Sequence, residues 1–371
     1  MRCHSPARSK MIACALSGGV DSAVSLHLLL KRLPRRLIKA VFMKNWNEGG
    51  DNVCDLSQDL KSAREIATHF DVEFHTADFS KEYWLQVFEP MIADFSAGIT
   101  PNPDVLCNRH IKFDRMFRYC QDKLGAEKIA TGHYARLREH KEQMHLLRGL
   151  DHRKDQTFFL AAVKREALKF TEFPIGELPK KRVKQIAIEM GLPSLAHRKE
   201  STGICFIGRR KFYNFIDDYV EPQLGNFVDV DSGKIVGKHT GKHHWTLGQR
   251  ARIETLGKPY YIAGLPPGND VMVCKGHSHP RLLCDSFKAK NPHWINEKFR
   301  GWTGSLDFKT QHTDPVARCR LVENTDNVIR IQLGHFKRAI TPGQHVVLYD
   351  NEECVGSAKI DKLGPSLDKV L

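Results

Sequence analysis

The sequence lacks several features that would place it in common protein classes. No apolar run among its 371 residues approaches the ~20 that a membrane-spanning helix needs. No Walker motif G-x-x-x-x-G-K-[ST] occurs, since GKHTGK at residues 237–242 is one residue too short. The ten cysteines include no C-x-x-C pair, so the pattern indicates neither a zinc ribbon nor a secreted disulfide framework. We expect reduced thiols in a reducing compartment.

Acidic residues are scarce relative to basic ones. Lys and Arg number 57 against 43 Asp and Glu, which gives a formal charge of +14. Such an excess favours a polyanionic partner. The first ten residues, MRCHSPARSK, contain no acid. Residues 1–10 are therefore predicted to be a short targeting segment of the mitochondrial kind, with the mitochondrial matrix as location and the cytoplasm as second choice.

The most informative motif is SGGVDS at residues 17–22, between an apolar run at 11–16 and a helical pattern. This is a strand, a glycine turn and a helix start. Two glycines and the unpaired N–H groups of a helix N-terminus can hold a pyrophosphate without the Walker lysine. An ordinary tight turn is the alternative.

The pattern of the chain predicts an α/β fold with additional β domains. Strand-like runs at 11–16, 37–43, 72–77 and 128–135 alternate with helical patterns, which indicates a parallel sheet with ligands beyond its carboxyl ends. Residues 154–220 read as helical with clustered bases, among them Lys180, Lys181, Arg182 and Lys184. Short alternating runs follow Pro222. We predict a catalytic domain at 11–221, a small β-rich domain at 222–280 and a β-barrel at 281–371.

Two cysteine segments are candidates for chemistry. In TPNPDVLCN at 100–108, Asp104 is expected to cap a helix beginning near Val105, with Cys107 in its first turn. The alternative is a plain cap and a core cysteine. In STGICFIG at 201–208, Cys205 lies between Gly203 and Gly208, which predicts either a mobile loop or a buried strand.

Histidines at positions 239, 243, 244, 277 and 279 suggest zinc at first sight. They lack an accompanying cysteine or carboxylate spacing. The sequence therefore predicts no metal site among them.

These segments together resemble the tRNA-specific 2-thiouridylase family of PP-loop ATP pyrophosphatases, and the mitochondrial members more closely. The resemblance covers nearly the whole chain, through the motifs ALSGGVDSAV, FMKNW, KEYW, TPNPDVLCN, IKF, ATGHYA, KDQTFFL, STGICFIG, TLGQR and TPGQ. It implies a PP-loop domain, a central domain and a C-terminal β-barrel. It also implies ATP and Mg²⁺ as cofactors, with tRNA of the Lys, Glu and Gln type and a persulfide-donating sulfur-relay protein as partners.

The resemblance further implies the site residues. ATP would be held by Ala15, Leu16, Ser17, Gly18, Gly19, Val20, Asp21 and Ser22, with Met43 and Gly132 beside it. After the carbon-2 oxygen of the wobble uridine is adenylated, Cys205 would carry the persulfide. The persulfide sulfur would displace AMP either directly or after Cys107 attacks the persulfide and frees hydrosulfide. Either route could leave a Cys107–Cys205 disulfide, and Asp104 would be the general acid or base. The tRNA contacts would be Asn102, Pro103, Asp104, His133, Lys154, Asp155, Gln156, Gln311, His312 and Gln344.

Departures from the bacterial members weaken the assignment of some of these residues. Gln311-His312 stands where they tend to have an arginine–tyrosine pair, which puts RNA contacts there in doubt, and Ala15 replaces glycine at the start of the loop. Three alternatives fit parts of the sequence: an amide ligase of the same superfamily, an iron–sulfur tRNA thiolase, and a non-enzymatic RNA-binding protein. The intact loop and the two placed cysteines favour the 2-thiouridylase. The sequence assigns no role to Cys54.

Overall fold

The structure is a computed structural model that describes residues 11–46, 55–198, 212–254 and 257–369. The chain divides into two compact units, one of residues 1–86 with 104–209 and one of residues 87–103 with 210–371. Among the described residues, no helix combines the length and the apolarity required to cross a bilayer.

The helices and strands are named here in chain order. The strands are β1 Ile12–Ala15, β2 Ile38–Lys44, β3 Glu73–Asp78, β4 Lys128–Ala130, β5 Ala135–His140, β6 Gln143–Arg148, β7 Thr171–Glu172, β8 Gly225–Asp229, β9 Ile235–His239, β10 Tyr260–Gly264, β11 Val271–Lys275, β12 Leu283–Trp294, β13 Gly304–Lys309, β14 Ala317–Asn324, β15 Val328–Arg338, β16 His345–Asp350 and β17 Glu353–Leu363. The helices are α1 Val20–Leu30, α2 Asp55–His69, α3 Ser80–Tyr83, α4 Glu89–Ser96, α5 Pro103–Leu106, α6 Met116–Leu124, α7 Thr157–Leu160, α8 Arg165–Leu168, α9 Lys180–Glu189, α10 Pro193–His197 and α11 Phe212–Ile216.

The first unit is built on a parallel sheet, as predicted. Its five strands run in the order β3-β2-β1-β4-β7, and each neighbouring pair is parallel. Residues of β1 and β2 are buried with Leu26 and Leu29 of α1 and with Val183 of α9 in one core. The strand order turns outward from β1 in both directions, so the crevice between β1 and β4 is the topological switch point where such sheets bind ligands.

The second unit contains a closed antiparallel barrel of β12-β15-β14-β13-β16-β17, in which β17 returns to pair with β12. Its inward residues alternate along the strands, as in Ile329, Ile331 and Leu333 of β15. A second sheet of order β10-β11-β8-β9 has its own core. The predicted fold class is confirmed, while the domain boundaries stay a prediction.

Two local predictions were wrong. The run at 128–135 is not one strand, because β4 ends at Ala130 and β5 begins at Ala135. Asp104 does not cap a helix, because α5 already begins at Pro103 and continues as a π-helix over Cys107–Arg115. Proline suits the first turn of a helix since its missing N–H is not needed there. Asp104 consequently lies within the first turn.

Candidate active site

A cavity of about 370 Å³ lies in the first unit at the carboxyl ends of β1, β2 and β4. The cavity is lined by the predicted nucleotide-binding residues Ala15, Leu16, Ser17, Asp21, Ser22, Met43 and Gly132, and by Asp104, Cys107, His133 and Gln156. Five separate segments of the sequence therefore meet in one space, at the place where the switch point of the sheet predicts a ligand site.

The glycine loop after β1 depends on its first glycine. Gly18 has a φ of +81°, and a Cβ there would lie 2.5 Å from the carbonyl oxygen of Asp59. The Gly18 carbonyl accepts hydrogen bonds from Ser62 at 2.9 Å and from Arg198 at 3.3 Å. Only glycine combines this left-handed backbone with so close a neighbour, so α2 holds the loop in place.

Hydrogen bonds of a serine side chain join the glycine loop to the first turn of α1. The Ser17 backbone N–H donates to Ser22 Oγ at 3.2 Å, and Ser22 Oγ donates to the Gly19 carbonyl at 2.9 Å. Helix α1 begins at Val20 after Gly19, with no side chain capping its first N–H groups. These N–H groups and the positive end of the helix dipole favour an anion at this position.

Asp21 of the loop is fixed by Lys180. Lys180 Nζ donates to both carboxylate oxygens of Asp21 at 2.8 Å, and the Tyr134 hydroxyl donates to Oδ1 at 2.8 Å. Lys180 is buried, so it does not belong to the basic surface proposed from the sequence. One signal was available: a lysine at the first position of a helix is disfavoured by the dipole unless a carboxylate compensates it.

Gly132 and His133 form the wall contributed by the end of β4. A Cβ at Gly132 would lie 2.8 Å from the carbonyl carbon of Asp21 and 2.8 Å from the Ser22 nitrogen. His133 lies 2.7 Å from Thr131 Oγ1 and 3.4 Å from Lys112 Nζ. Burial, followed by the charge of Lys112, holds the pKa of His133 well below 6.5, so the ring is neutral at pH 7.

Lys112 and Asp59 line the cavity and were not predicted as site residues. Lys112 belongs to the π-helix, whose period differs from the 3.6 residues of an α-helix, so a helical pattern does not show which way it faces. Lys112 brings a cation to a cavity that has no Walker lysine.

Cys107 and Asp104 reach the cavity from the α5 and π-helix segment. Cys107 is buried and Asp104 is exposed. Asn108 anchors this segment by donating to the Asp104 carbonyl at 3.1 Å and to the Phe159 carbonyl at 3.3 Å. Cys205, its predicted partner, lies outside the described residues, as does Cys54.

Other cysteines among the described residues are structural. Burial raises the pKa of Cys14, Cys120 and Cys319 to about 12. A thiol with so high a pKa is a poor nucleophile at pH 7 because the thiolate is the reactive form. Cys107, unlike these three, lines the cavity.

The KDQ segment is divided in its roles. Asp155 is buried, and its Oδ1 accepts from the N–H groups of Gly149 at 3.1 Å and Thr157 at 3.2 Å. A direct RNA contact by Asp155 does not fit this burial; the residue orders the loop. Gln156 lines the cavity and accepts from the Tyr134 N–H at 3.0 Å, and Lys154 is half-buried.

The second unit brings two other predicted RNA contacts together. Gln344 accepts from Asn102 Nδ2 at 3.2 Å, and donates to the carbonyls of Thr100 at 3.1 Å and Pro101 at 2.8 Å. Pro103, which follows, is buried. Gln311 and His312 lie in the turn between β13 and β14. Gln344 thus orders the TPNP segment, a role that spacing along the sequence does not reveal.

Family models match three consecutive parts of the chain. The tRNA methyl transferase HUP domain model matches residues 10–209, the tRNA methyl transferase PRC-barrel domain model matches 213–275, and the aminomethyltransferase beta-barrel domain model matches 284–360.

Curated relatives match nearly the full length. The mitochondrial tRNA-specific 2-thiouridylase 1 of Drosophila melanogaster is 42% identical, covering 95% of this chain and 94% of the relative. The human protein of that name is 39% identical, covering 96% of this chain and 91% of the relative. The tRNA-specific 2-thiouridylase MnmA of Shewanella halifaxensis is 38% identical over 95% and 96%. The chain belongs to the tRNA-specific 2-thiouridylase family.

Proposed function

We propose that this protein is an ATP-dependent tRNA-uridine 2-sulfurtransferase that replaces the carbon-2 oxygen of the wobble uridine with sulfur. The observation that carries the proposal is the meeting of the SGGVDS loop with Asp104 and Cys107 around one cavity. A nucleotide-activating loop beside a thiol is what sulfur insertion at an unreactive carbonyl requires. An amide ligase of the same superfamily would leave Cys107 without a task.

ATP serves as the activating substrate. The uridine carbon-2 oxygen bonds to the α-phosphorus and pyrophosphate leaves, which turns a poor leaving group into AMP. The loop N–H groups and Lys112 offset the phosphate charge. Asp21 and Asp59 supply carboxylate oxygens at the cavity, the donor type that Mg²⁺ prefers, and bound Mg²⁺ would neutralise phosphate charge.

Sulfur transfer uses two cysteines in this proposal. The terminal sulfur of a persulfide on Cys205 bonds to carbon 2, and AMP leaves with the oxygen. The Cys107 thiolate then attacks the Cys205 sulfur, so that the persulfide S–S bond breaks and a Cys107–Cys205 disulfide forms. In the second route Cys107 attacks first and frees hydrosulfide, which displaces AMP. A dithiol reductant then restores both thiols. Asp104 acts as the general acid or base in these steps.

The substrate and setting follow from charge and family. An anticodon loop presents an unstacked uridine that a protein can grip. The positive charge suits tRNA, and a persulfide-carrying protein would load Cys205. We place the protein in the mitochondrial matrix.

The test incubates the full chain with tRNA, ATP, Mg²⁺ and a persulfide donor. Mass spectrometry of digested tRNA is expected to show 2-thiouridine at the wobble position, with one AMP and one pyrophosphate per thiolated base. A product mixture of ADP and phosphate would overturn the proposal. Sulfur found at another base position would overturn the assigned substrate while leaving the ATP chemistry in place.

A further inference from the structure

A compact histidine–carboxylate cluster lies in the second unit. His243 Nε2 lies 2.7 Å and His244 Nε2 lies 2.6 Å from the same oxygen, Asp217 Oδ1. These three ligand atoms all lie within 4.8 Å of one another. The spacing along the sequence shows no carboxylate partner for these histidines, because Asp217 follows α11 and is distant in the chain from the Lys242–His244 turn.

The atom types and spacing fit a small divalent transition metal. Imidazole nitrogen and carboxylate oxygen suit zinc and its neighbours, at about 2.0–2.2 Å from the ion. In a tetrahedron of that size the ligand atoms are about 3.3–3.6 Å apart. Each of the two nitrogens therefore needs to move away from Oδ1 by about 0.6–1.0 Å, which rotations of the side chains can supply.

The rings that carry the nitrogens are held in place. The His243 ring is buried and packs against Gly241, where any Cβ would collide with it. The His244 ring meets the Tyr213 ring edge-on at 5.4 Å, and Tyr213 OH accepts from Gln249 Nε2 at 3.0 Å. Gln249 in turn accepts from the Thr246 N–H at 3.0 Å. These contacts restrict the orientation of both imidazole rings.

The nearest lysine in the sequence does not occupy the cluster. Lys242 Nζ donates to the carbonyl of Gly268 at 2.8 Å and also to that of Pro266. Its ammonium is thereby engaged with the loop at 266–268. Asp217 is about one-third exposed, so a cation and a water molecule can reach the carboxylate.

We propose that Asp217, His243 and His244 bind one Zn²⁺ ion, with water as a fourth ligand. The ion would join the end of α11 to the Lys242–His244 turn. Because the three ligands come together only in the folded chain, its binding stabilises the fold. The proposal is independent of the sulfur-transfer activity.

The test uses the full chain freed of metal with a chelator, and Co²⁺ and Zn²⁺ as probes. Co²⁺ is expected to give a visible absorption band of nitrogen–oxygen type at one equivalent, and Zn²⁺ to displace it and raise the melting temperature. Asp217→Asn and His244→Gln are expected to weaken binding by at least about tenfold. Gly241→Ala, which changes no ligand, is expected to weaken it by displacing the His243 ring.

His279→Gln is the matched control, because His279 Nε2 contacts Asp231 at 3.1 Å as a lone histidine–carboxylate pair. It is expected to bind Co²⁺ as the natural chain does. Asp217→Asn keeps a hydrogen-bond acceptor for the imidazoles, so a folded variant is expected. Equal Co²⁺ affinity in the natural chain, Asp217→Asn and His244→Gln would overturn the site. A cobalt spectrum dominated by thiolate charge transfer and unchanged in these variants would do the same, since the metal would then sit on cysteines.

Discussion

The parallel sheet of the first unit and the barrel of the second differ in where they leave room for polar, functional side chains. The central strands β1, β2 and β4 of the sheet are mostly buried. Their carboxyl ends open onto one cavity, which Ser17, Met43 and Gly132 line. The barrel closes on itself and fills its interior with apolar side chains such as Phe287, Ile331 and Leu348. Polar candidates there lie in its turns and at strand starts, as Gln311 and Gln344 do.

The difference shows where chemistry can be assembled. At the switch point of the sheet, segments far apart in the chain converge on one cavity, and the partly buried ion pair Lys180–Asp21 fixes the loop residue Asp21. The barrel leaves no unpaired edge among its six strands and presents a stable surface instead. Substitutions near the sheet should therefore change catalysis, and equivalent ones in the barrel should change stability or nothing.

The largest effect is expected at the cysteines. Cys107→Ser and Cys205→Ser should each abolish single-turnover thiolation while ATP binding remains, and Cys205→Ser should also lose the protein-bound persulfide. Cys107→Ser should retain the persulfide, because only the releasing thiol is missing. Cys319→Ser in the barrel is the control: it should keep full activity and lose about 1–3 kcal/mol of stability, since a hydroxyl is buried there. Full activity in either site variant would refute the two-cysteine relay.

A methyl group at Gly132 should have the next largest effect. Gly132→Ala places a Cβ against the backbone of Asp21 and Ser22, and should lower kcat/KM for ATP by about 10²-fold because the loop must shift. Gly334→Ala in the barrel, where nothing lies within 4 Å of the added carbon, should have no effect. The rate of pyrophosphate release measures the effect of each variant. Equal rates for Gly132→Ala and Gly334→Ala would contradict the assigned loop geometry.

Charge reversal at two lysines of α9, one exposed and one half-buried, should have a moderate effect. Lys181→Glu with Lys184→Glu should weaken tRNA binding and reduce the slope of log K against log salt by about 0.7–0.9 per lost phosphate contact. Lys180 is left intact because it holds Asp21. Reversal of the exposed Lys288 and Lys290 on the barrel should leave the slope unchanged. Binding titrations at several salt concentrations decide, and identical slopes for both pairs would indicate a merely solvated helix face.

The smallest effect concerns pH. The pKa of His133 is depressed in the folded chain by burial and by Lys112, so the unfolded chain takes up a proton as pH falls through 6.5 while the folded chain does not. The titration of His133 therefore lowers the free energy of unfolding as pH falls below 6.5, by up to ~1.4 kcal/mol per pH unit. His133→Gln should flatten this slope in denaturant titrations, whereas the exposed His152→Gln should not. A slope unchanged by His133→Gln would show that another group titrates.

Much of the site was accessible from the sequence because local patterns encode local structure. The order strand, glycine loop and helix at 11–30 predicted β1, Gly18 and α1 correctly, and alternation in the last third predicted barrel strands. Helix bounds near Asp104 were mispredicted, since a proline pair suggests extended backbone while Pro103 begins α5.

The sequence by itself determined the parallel sheet, the loop that opens α1 and the barrel strands, because hydrophobic period and glycine placement act over a few residues. Only the tertiary structure decided which charges meet. It buried Lys180 against Asp21, enclosed Asp155, joined Gln344 to Asn102 and brought Asp217 to His243 and His244. Such pairings depend on through-space distances of a few ångströms between residues far apart in the chain, and no spacing along the sequence encodes them.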